Sequence, residues 1–140
     1  MAATATPSRF DPNEKKVLAF TGAAHALTHY VELAYPTLAV VFAVEIGLPI
    51  EEVLGWSLIG YMLLGFGALP AGYLADRYGS RLMVTSGLLL SGVAMFAAGF
   101  VDPGWPIVVC LALAGLGAST YHPAGMGLIS RSISARGTAL

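Results

Sequence analysis

The chain has 140 residues, of which 56% are hydrophobic and 11% are charged, and its mean hydropathy is +0.74. A soluble domain carries about 25% charged residues, so this composition predicts an integral membrane protein and excludes a soluble enzyme. The net charge of −1 says nothing about partners, but the basic residues are few and scattered, which argues against a nucleic-acid partner. The single cysteine, Cys110, excludes a disulfide framework and a cysteine-based metal site.

The predicted fold is all-α, a polytopic bundle of four transmembrane helices behind a flexible, polar cytoplasmic tail over residues 1–14. Each apolar segment reaches the roughly 20 residues that cross a bilayer as helix. The segments run Val17–Val44, Val53–Ala75, Leu82–Val101 and Trp105–Ile129. The first is too long to stand upright, so it is predicted to tilt, or to bend at Pro36. It is also too long, and too interrupted by charge, for a signal peptide.

The basic residues predict the orientation of the bundle. All of them precede the first span, follow the fourth, or lie between the second and third: Arg9, Lys15, Lys16, Arg77, Arg81, Arg131 and Arg136. The other two connections carry only acidic charge. The positive-inside rule therefore places both termini in the cytoplasm, and Trp56 and Trp105 fall near the outer interface, where aromatic residues are enriched.

Small residues at four-residue spacing predict close helix contacts within the bilayer. The pairs are Ala68/Gly72 in the second span, and Ala114/Ala118 and Gly115/Ser119 in the fourth. This pattern indicates a packed bundle but names no function.

The first span carries three ionisable residues, His25, His29 and Glu32, in "GAAHALTHYVELAYP". Their i, i+4, i+7 spacing places them within about 60° of one another on a helix. At 1.5 Å per residue, His25 lies roughly 14 Å from Lys16, near the bilayer midplane, and the same arithmetic puts His122 at a similar depth. A charge at the bilayer centre costs about 2.5–3.5 kcal/mol, so the stripe predicts a functional site.

Three chemistries could use this stripe. A zinc hydrolase requires H-E-x-x-H, and the H-A-L-T-H of this chain lacks the general base. A haem-binding electron-transfer module could use His122 with His25 or His29 as iron ligands. A transport site would use the same groups to carry protons. No nucleophile–base pair or cofactor fingerprint is present, so no enzyme activity, cofactor or metal is predicted.

The connection between the second and third spans, "GYLADRYGSR", resembles the signature loop of the major facilitator superfamily of secondary transporters, G-x-L-a-D-R-x-G-x-[RK]. Its residues are Gly72, Asp76, Arg77, Gly79 and Arg81. Glycines permit close packing and a tight turn, and either arginine can pair with Asp76.

Two further stretches are similar to the fosmidomycin-resistance-like branch of that superfamily. They are Ala24-His25 in the first span and Tyr121-His122-Pro123 in the fourth. His29 stands where that branch leads us to expect an aspartate. "ARGTAL", with Arg136-Gly137, resembles the start of the loop before a fifth span, and the resemblance covers about residues 15–140.

The resemblance implies a twelve-span transporter of the cell membrane, of which this chain forms the first repeat and one further helix. We expect a fragment whose missing helices belong to the same transporter or to other copies of the chain. The implied function is proton-coupled export, by antiport, of small organic molecules across the lipid bilayer. The implied cavity residues are His25, His29, Glu32, His122, Tyr35 and Tyr121. Asp76, Arg77 and Arg81 would form a cytoplasmic gate latch. A truncated, non-transporting membrane protein is the other alternative.

Overall fold

The computed structural model describes residues 10–133, and all the regular structure in this range is α-helical. The helices are α1 (Pro12–Ile46), α2 (Ile50–Gly55), α3 (Leu58–Tyr78), α4 (Ser80–Ala98), α5 (Trp105–Ala118) and α6 (Tyr121–Ser132). Taken together, α2 with α3 and α5 with α6 each form one apolar unit. Within the described residues, four units are thus long and apolar enough to cross a membrane. The predicted all-α, four-span membrane fold is confirmed.

The first helix begins before the apolar segment because a capping box starts it. The Asp11 carboxylate accepts hydrogen bonds from the amides of Asn13 and Glu14, and the Glu14 carboxylate accepts from the Asp11 amide. The predicted tail, residues 1–14, therefore overlaps the helix, since residues 12–14 form its first turn. Residues 1–9 of that tail lie outside the described residues.

The first helix also runs through Pro36 without interruption, for 35 residues. A proline cannot donate to the carbonyl four residues before it, so Pro36 leaves the Glu32 carbonyl without a backbone partner. The Tyr61 hydroxyl on α3 donates to this carbonyl at 2.7 Å. A neighbouring helix thus supplies the hydrogen bond that Pro36 removes, where the sequence predicted only a tilt or a bend.

The second and fourth spans are each divided in two, which the sequence did not predict. The break in the fourth span falls at Ser119 and Thr120, between α5 and α6. Pro123 cannot donate to the Ser119 carbonyl. In addition, the hydroxyls of Ser119 and Thr120 donate to the carbonyls of Leu116 and Gly117, at 2.7 and 2.9 Å. Hydrogen bonds of this kind, from a side chain to an earlier carbonyl, bend helices. The break immediately precedes Tyr121-His122.

Helix α5 packs between α3 and α4 and makes the closest backbone contacts of the bundle. A Cβ added to Gly60 would lie 2.6 Å from the Leu111 carbonyl oxygen, and one added to Gly115 would overlap the Gly60 carbonyl. The predicted close contact of the fourth span is therefore present at Gly115. In α3 the closest approach occurs at Gly60, and a Cβ on the predicted Gly72 would make only an ordinary 3.4 Å contact with Pro123.

One end of the bundle, which we call the basic end, gathers the positive charges of the described residues. It comprises the start of α1, the end of α3, the start of α4 and the end of α6, and its residues are Lys15, Lys16, Arg77, Arg81 and Arg131. Val17 packs there against Ile129. Arg9 and Arg136 lie outside the described residues. Which side of the membrane this end faces remains a prediction.

Candidate functional site

The four ionisable residues predicted to line one site within the membrane lie together on α1 and α6. We call His25, His29, Glu32 and His122 the polar cluster. His29 Nδ1 lies 2.7 Å from Glu32 Oε2, and His29 Nε2 lies 2.8 Å from His25 Nε2. The His122 ring centroid is 5.8 Å from that of His25 and 5.9 Å from that of His29. The stripe along α1 and the single histidine of α6 therefore form one site.

The hydrogen bonds of the cluster make a continuous chain from a carboxylate to two imidazoles. An ionised Glu32 can only accept, so a neutral His29 carries its proton on Nδ1 and directs the lone pair of Nε2 toward His25. His25 then donates from its own Nε2 across the 2.8 Å separation. Histidine is the side chain whose charge changes most readily near neutral pH. The arrangement can therefore hold a proton and pass it from one side chain to the next.

Tyr121 positions His25 and joins the two helices that carry the cluster. Its ring stacks on the His25 ring, with centroids 5.2 Å apart and planes within 8°. Its hydroxyl donates to the Thr21 carbonyl on α1 at 2.8 Å. Beneath the stripe, Ala24 and Thr28 are buried, each with only 1% of its surface exposed. The backbone of α1 is thus held against α6 while the histidine rings point away from the bundle.

The cluster lies on the exposed surface of the four-span bundle. All three histidines are exposed, and the side chain of Glu32, at 16% exposure, is more enclosed than that of His29, at 47%. The rings are therefore accessible to any group that covers this face of α1 and α6.

A cleft between α1, α3 and α5 adjoins the cluster at Glu32. It holds about 340 Å³ of space, part of it open to the outside. Its polar lining comes from Glu32, Tyr35, Ser57 and Tyr61. The Tyr35 hydroxyl donates to the Val53 carbonyl at 2.7 Å, so Tyr35 joins α1 to α2 and does not contact the histidines. Only about 30 Å³ of this space can hold the centre of a water-sized molecule, so the enclosed part of the cleft is well below the roughly 300–1,000 Å³ of small-molecule pockets.

The signature loop folds as a turn of a single residue. Gly79, with φ of +96°, is the only residue between α3 and α4. This value of φ is one that residues with a Cβ rarely adopt. The loop sequence thus ends one span and starts the next with no intervening coil.

The partner of Asp76 differs from the sequence prediction. Its carboxylate pairs with Arg131 at the end of α6, with Nη1 and Oδ1 3.3 Å apart, and not with Arg77 or Arg81. Arg131 also donates to the Ser80 hydroxyl. The Arg77 guanidinium lies 5.5 Å above the Tyr78 ring. The prediction was wrong here because sequence proximity favoured the loop arginines, whereas the packing of α6 brings Arg131 to the start of α4.

Tyr61 and Arg131 are the two residues of this region that sequence reasoning missed. Pro36 gave a signal for the first, since it leaves a carbonyl within the membrane that requires a donor from elsewhere. For Arg131 the signal was weaker, because the sequence placed it only at the basic end and not beside Asp76.

The three histidines also bring metal-ligating atoms close together. One ring nitrogen from each of His25, His29 and His122 lies within 4.8 Å of the other two. The haem alternative is not favoured by this arrangement. Haem bound by two histidines would place its macrocycle between His122 and the partner histidine. Here the Tyr121 ring stacks on the His25 ring, and the centroids of the His25 and His29 rings are 4.6 Å apart. These rings occupy the space that a macrocycle would need.

Comparison with known proteins identifies the family. The sequence profile of the major facilitator superfamily matches residues 18–140. The efflux pump terJ of Aspergillus terreus is 33% identical over 82 residues, which cover 56% of this chain and 16% of the pump. The multidrug resistance protein MdtH of Yersinia pestis is 26% identical over 125 residues, covering 80% of this chain and 31% of that protein. MdtH of Yersinia pseudotuberculosis gives the same values.

The chain therefore spans less than a third of the length of these curated relatives. No solved structure was found to match it.

Proposed function

This chain belongs to the major facilitator superfamily, and we propose that it forms part of a proton-coupled exporter of small organic molecules. As a family member with four candidate spans, it is a multi-pass protein of the cell membrane. Export is supported by its relatives, which include an efflux pump and a multidrug resistance protein. The remaining helices would come from the rest of the same transporter or from other copies.

The observation that carries this proposal is the hydrogen-bonded polar cluster in the middle of two apolar spans. Ionisable side chains inside a membrane are costly and generally mark ion or substrate pathways. Here Glu32, His29 and His25 are linked at 2.7 and 2.8 Å, and the α5–α6 break lies beside His122. Broken helices beside polar groups are typical of transport sites near the midplane. We assign proton carriage to the cluster, and substrate contact to the cavity that the cluster would line together with the remaining helices.

Asp76 and Arg131 form the proposed latch at the basic end, which we place in the cytoplasm. Their ion pair ties α3 to α6 across the start of α4. Movement of the last helix relative to the signature loop would break it. Because both side chains are more than half exposed, the pair is expected to contribute at most about 1 kcal/mol. A latch of that strength can open during a transport cycle.

We also propose that the chain belongs to the fosmidomycin-resistance-like branch. The support is Ala24-His25 and Tyr121-His122-Pro123. In the structure the two histidines of these motifs belong to the same cluster.

The proposed function can be tested by drug tolerance. The native-length protein is expressed in a host that lacks its own efflux pumps, and growth is measured against a panel of toxic small organic molecules. Tolerance to at least one compound is expected, with loss in His25→Ala and His122→Ala. The matched control, Tyr30→Phe, alters an exposed side chain of α1 and should retain tolerance. Equal tolerance in all four proteins, with equal amounts in the membrane, would reject the assignment of the cluster.

A further inference from the structure

The geometry points to a second property of the polar cluster: His25, His29 and His122 form a binding site for a divalent transition-metal ion, with Zn²⁺ as the reference ligand. The inference concerns binding alone, so it stands independently of the transport function proposed above. It rests on how the three imidazoles converge and on the carboxylate behind one of them.

The ligand atoms already lie close to metal-binding distances. Zn²⁺ binds histidine nitrogen at about 2.0–2.1 Å, so two nitrogens on a tetrahedral ion are about 3.3 Å apart. The Nε2 atoms of His25 and His29 are 2.8 Å apart, and the three ligand nitrogens all lie within 4.8 Å of one another. Small side-chain rotations would bring all three onto one ion. Two ligands come from successive turns of α1 and the third from α6, so the ion would link two helices that are already joined.

Glu32 has the position of the carboxylate that lies behind a metal-bound histidine in many zinc sites. A metal-bound histidine usually donates its other ring N–H to a carboxylate, which fixes the tautomer and strengthens the ligand. The His29 Nδ1 to Glu32 Oε2 distance of 2.7 Å matches this arrangement. With its proton on Nδ1, a neutral His29 would present the lone pair of Nε2 to the ion in place of His25, and the neutral ring is the form that binds metal.

The chemistry of the donor set also limits which ions are expected. Three imidazoles without thiolates favour Zn²⁺, Ni²⁺ or Cu²⁺ over Mg²⁺ and Ca²⁺, which prefer oxygen. The exposed face of the rings leaves a coordination position for water or for another ligand. A site with three protein ligands and one open position differs from a closed structural site.

Binding can be measured on this chain directly, because its sequence contains only three histidines and all belong to the cluster. The chain is purified in detergent with a histidine-free affinity tag. Zn²⁺ is titrated by calorimetry and by competition with a chromogenic chelator. We expect one saturable Zn²⁺ per chain, and X-ray absorption should show nitrogen ligands at about 2.0–2.1 Å. Mg²⁺ at the same concentrations should not compete.

The variants separate the ligands from the orienting carboxylate. Glu32→Gln should weaken Zn²⁺ binding about 10–100-fold, and His122→Ala should weaken it further. Glu45→Gln changes an exposed glutamate near the end of α1 and should leave binding unchanged. Circular dichroism confirms that each variant keeps its helix content.

The absence of saturable Zn²⁺ binding in the unsubstituted chain would overturn the proposal. Unchanged Zn²⁺ affinity in the double variant His25→Ala/His122→Ala would also overturn it. A variant that loses drug tolerance but still binds Zn²⁺, or one that keeps tolerance but no longer binds Zn²⁺, would show that metal binding and the proposed transport function are separate properties.

Discussion

The hydrogen bond from Tyr61 to the Glu32 carbonyl yields a prediction that involves three positions. Pro36 removes the backbone donor for this carbonyl, and the Tyr61 hydroxyl replaces it at 2.7 Å. Tyr61→Phe removes the replacement and leaves a carbonyl in the membrane interior with no protein partner. If Pro36 is first replaced by alanine, the new backbone amide can donate to the same carbonyl, and Tyr61→Phe should then cost little.

The size of the effect follows from the environment of Tyr61. Hydrogen bonds between membrane helices contribute about 0.6 kcal/mol on average and at most about 1.7 kcal/mol. Tyr61 is 42% exposed, so the loss should lie below this maximum, at about 1 kcal/mol. This corresponds to roughly a fivefold change in the unfolding equilibrium constant. In the Pro36→Ala background the same substitution should cost less than about 0.3 kcal/mol.

The assay is unfolding of the chain in mixed micelles with increasing dodecyl sulfate, followed by circular dichroism. Four proteins complete the cycle: the unsubstituted chain, Tyr61→Phe, Pro36→Ala and the double variant. Tyr30→Phe, on the exposed face of α1, is the matched control and should have no effect. If Tyr61→Phe costs the same in both backgrounds, the Tyr61 hydroxyl does not compensate for Pro36, and the reasoning is refuted.

Three further predictions concern helix packing and the latch. Gly60→Ala should destabilise the chain by about 1–3 kcal/mol in the same micelle assay, since its Cβ would meet the Leu111 carbonyl. The control Gly65→Ala, with nothing within 4 Å of its Cβ, should not destabilise it. Equal effects of the two substitutions would contradict the observed α3–α5 contact. Asp76→Asn should lower stability by less than about 1 kcal/mol but slow transport by the native-length protein more than it weakens substrate binding; a pure loss of affinity would count against the latch. Tyr35→Phe removes a buried bond to the Val53 carbonyl and should destabilise the chain by about 1 kcal/mol without altering Zn²⁺ binding, whereas reduced Zn²⁺ binding would contradict its placement away from the histidines.

Features of the fold set by composition and helical period could be predicted from the sequence. The four spans follow from apolar length, and the convergence of His25 and His29 follows from their four-residue spacing. The predicted common level of His25 and His122 agrees with their ring-centroid separation of 5.8 Å, because two antiparallel spans counted from the same end reach the same level.

The features that depend on tertiary contacts, or on several local effects acting together, were not predicted. The break at Ser119 and Thr120 requires the combined effect of Pro123 and two hydroxyls that bond back to the helix. The partner of Asp76 depends on where α6 ends relative to α4, and neither loop spacing nor charge pattern contains that information. The closest approach of α3 falls at Gly60 because α5 crosses it there, while the spacing pattern was equally satisfied by Ala68 and Gly72.

Proton movement through the polar cluster is the central claim, and vesicles test it most directly. The native-length protein is reconstituted with a pH-sensitive dye inside the vesicles, and a compound identified by the tolerance panel is added outside. Substrate-driven proton flux is expected in the unsubstituted protein and in Tyr30→Phe, with loss in His25→Ala and His122→Ala. Substrate-driven proton flux that persists unchanged in both histidine variants would contradict the account.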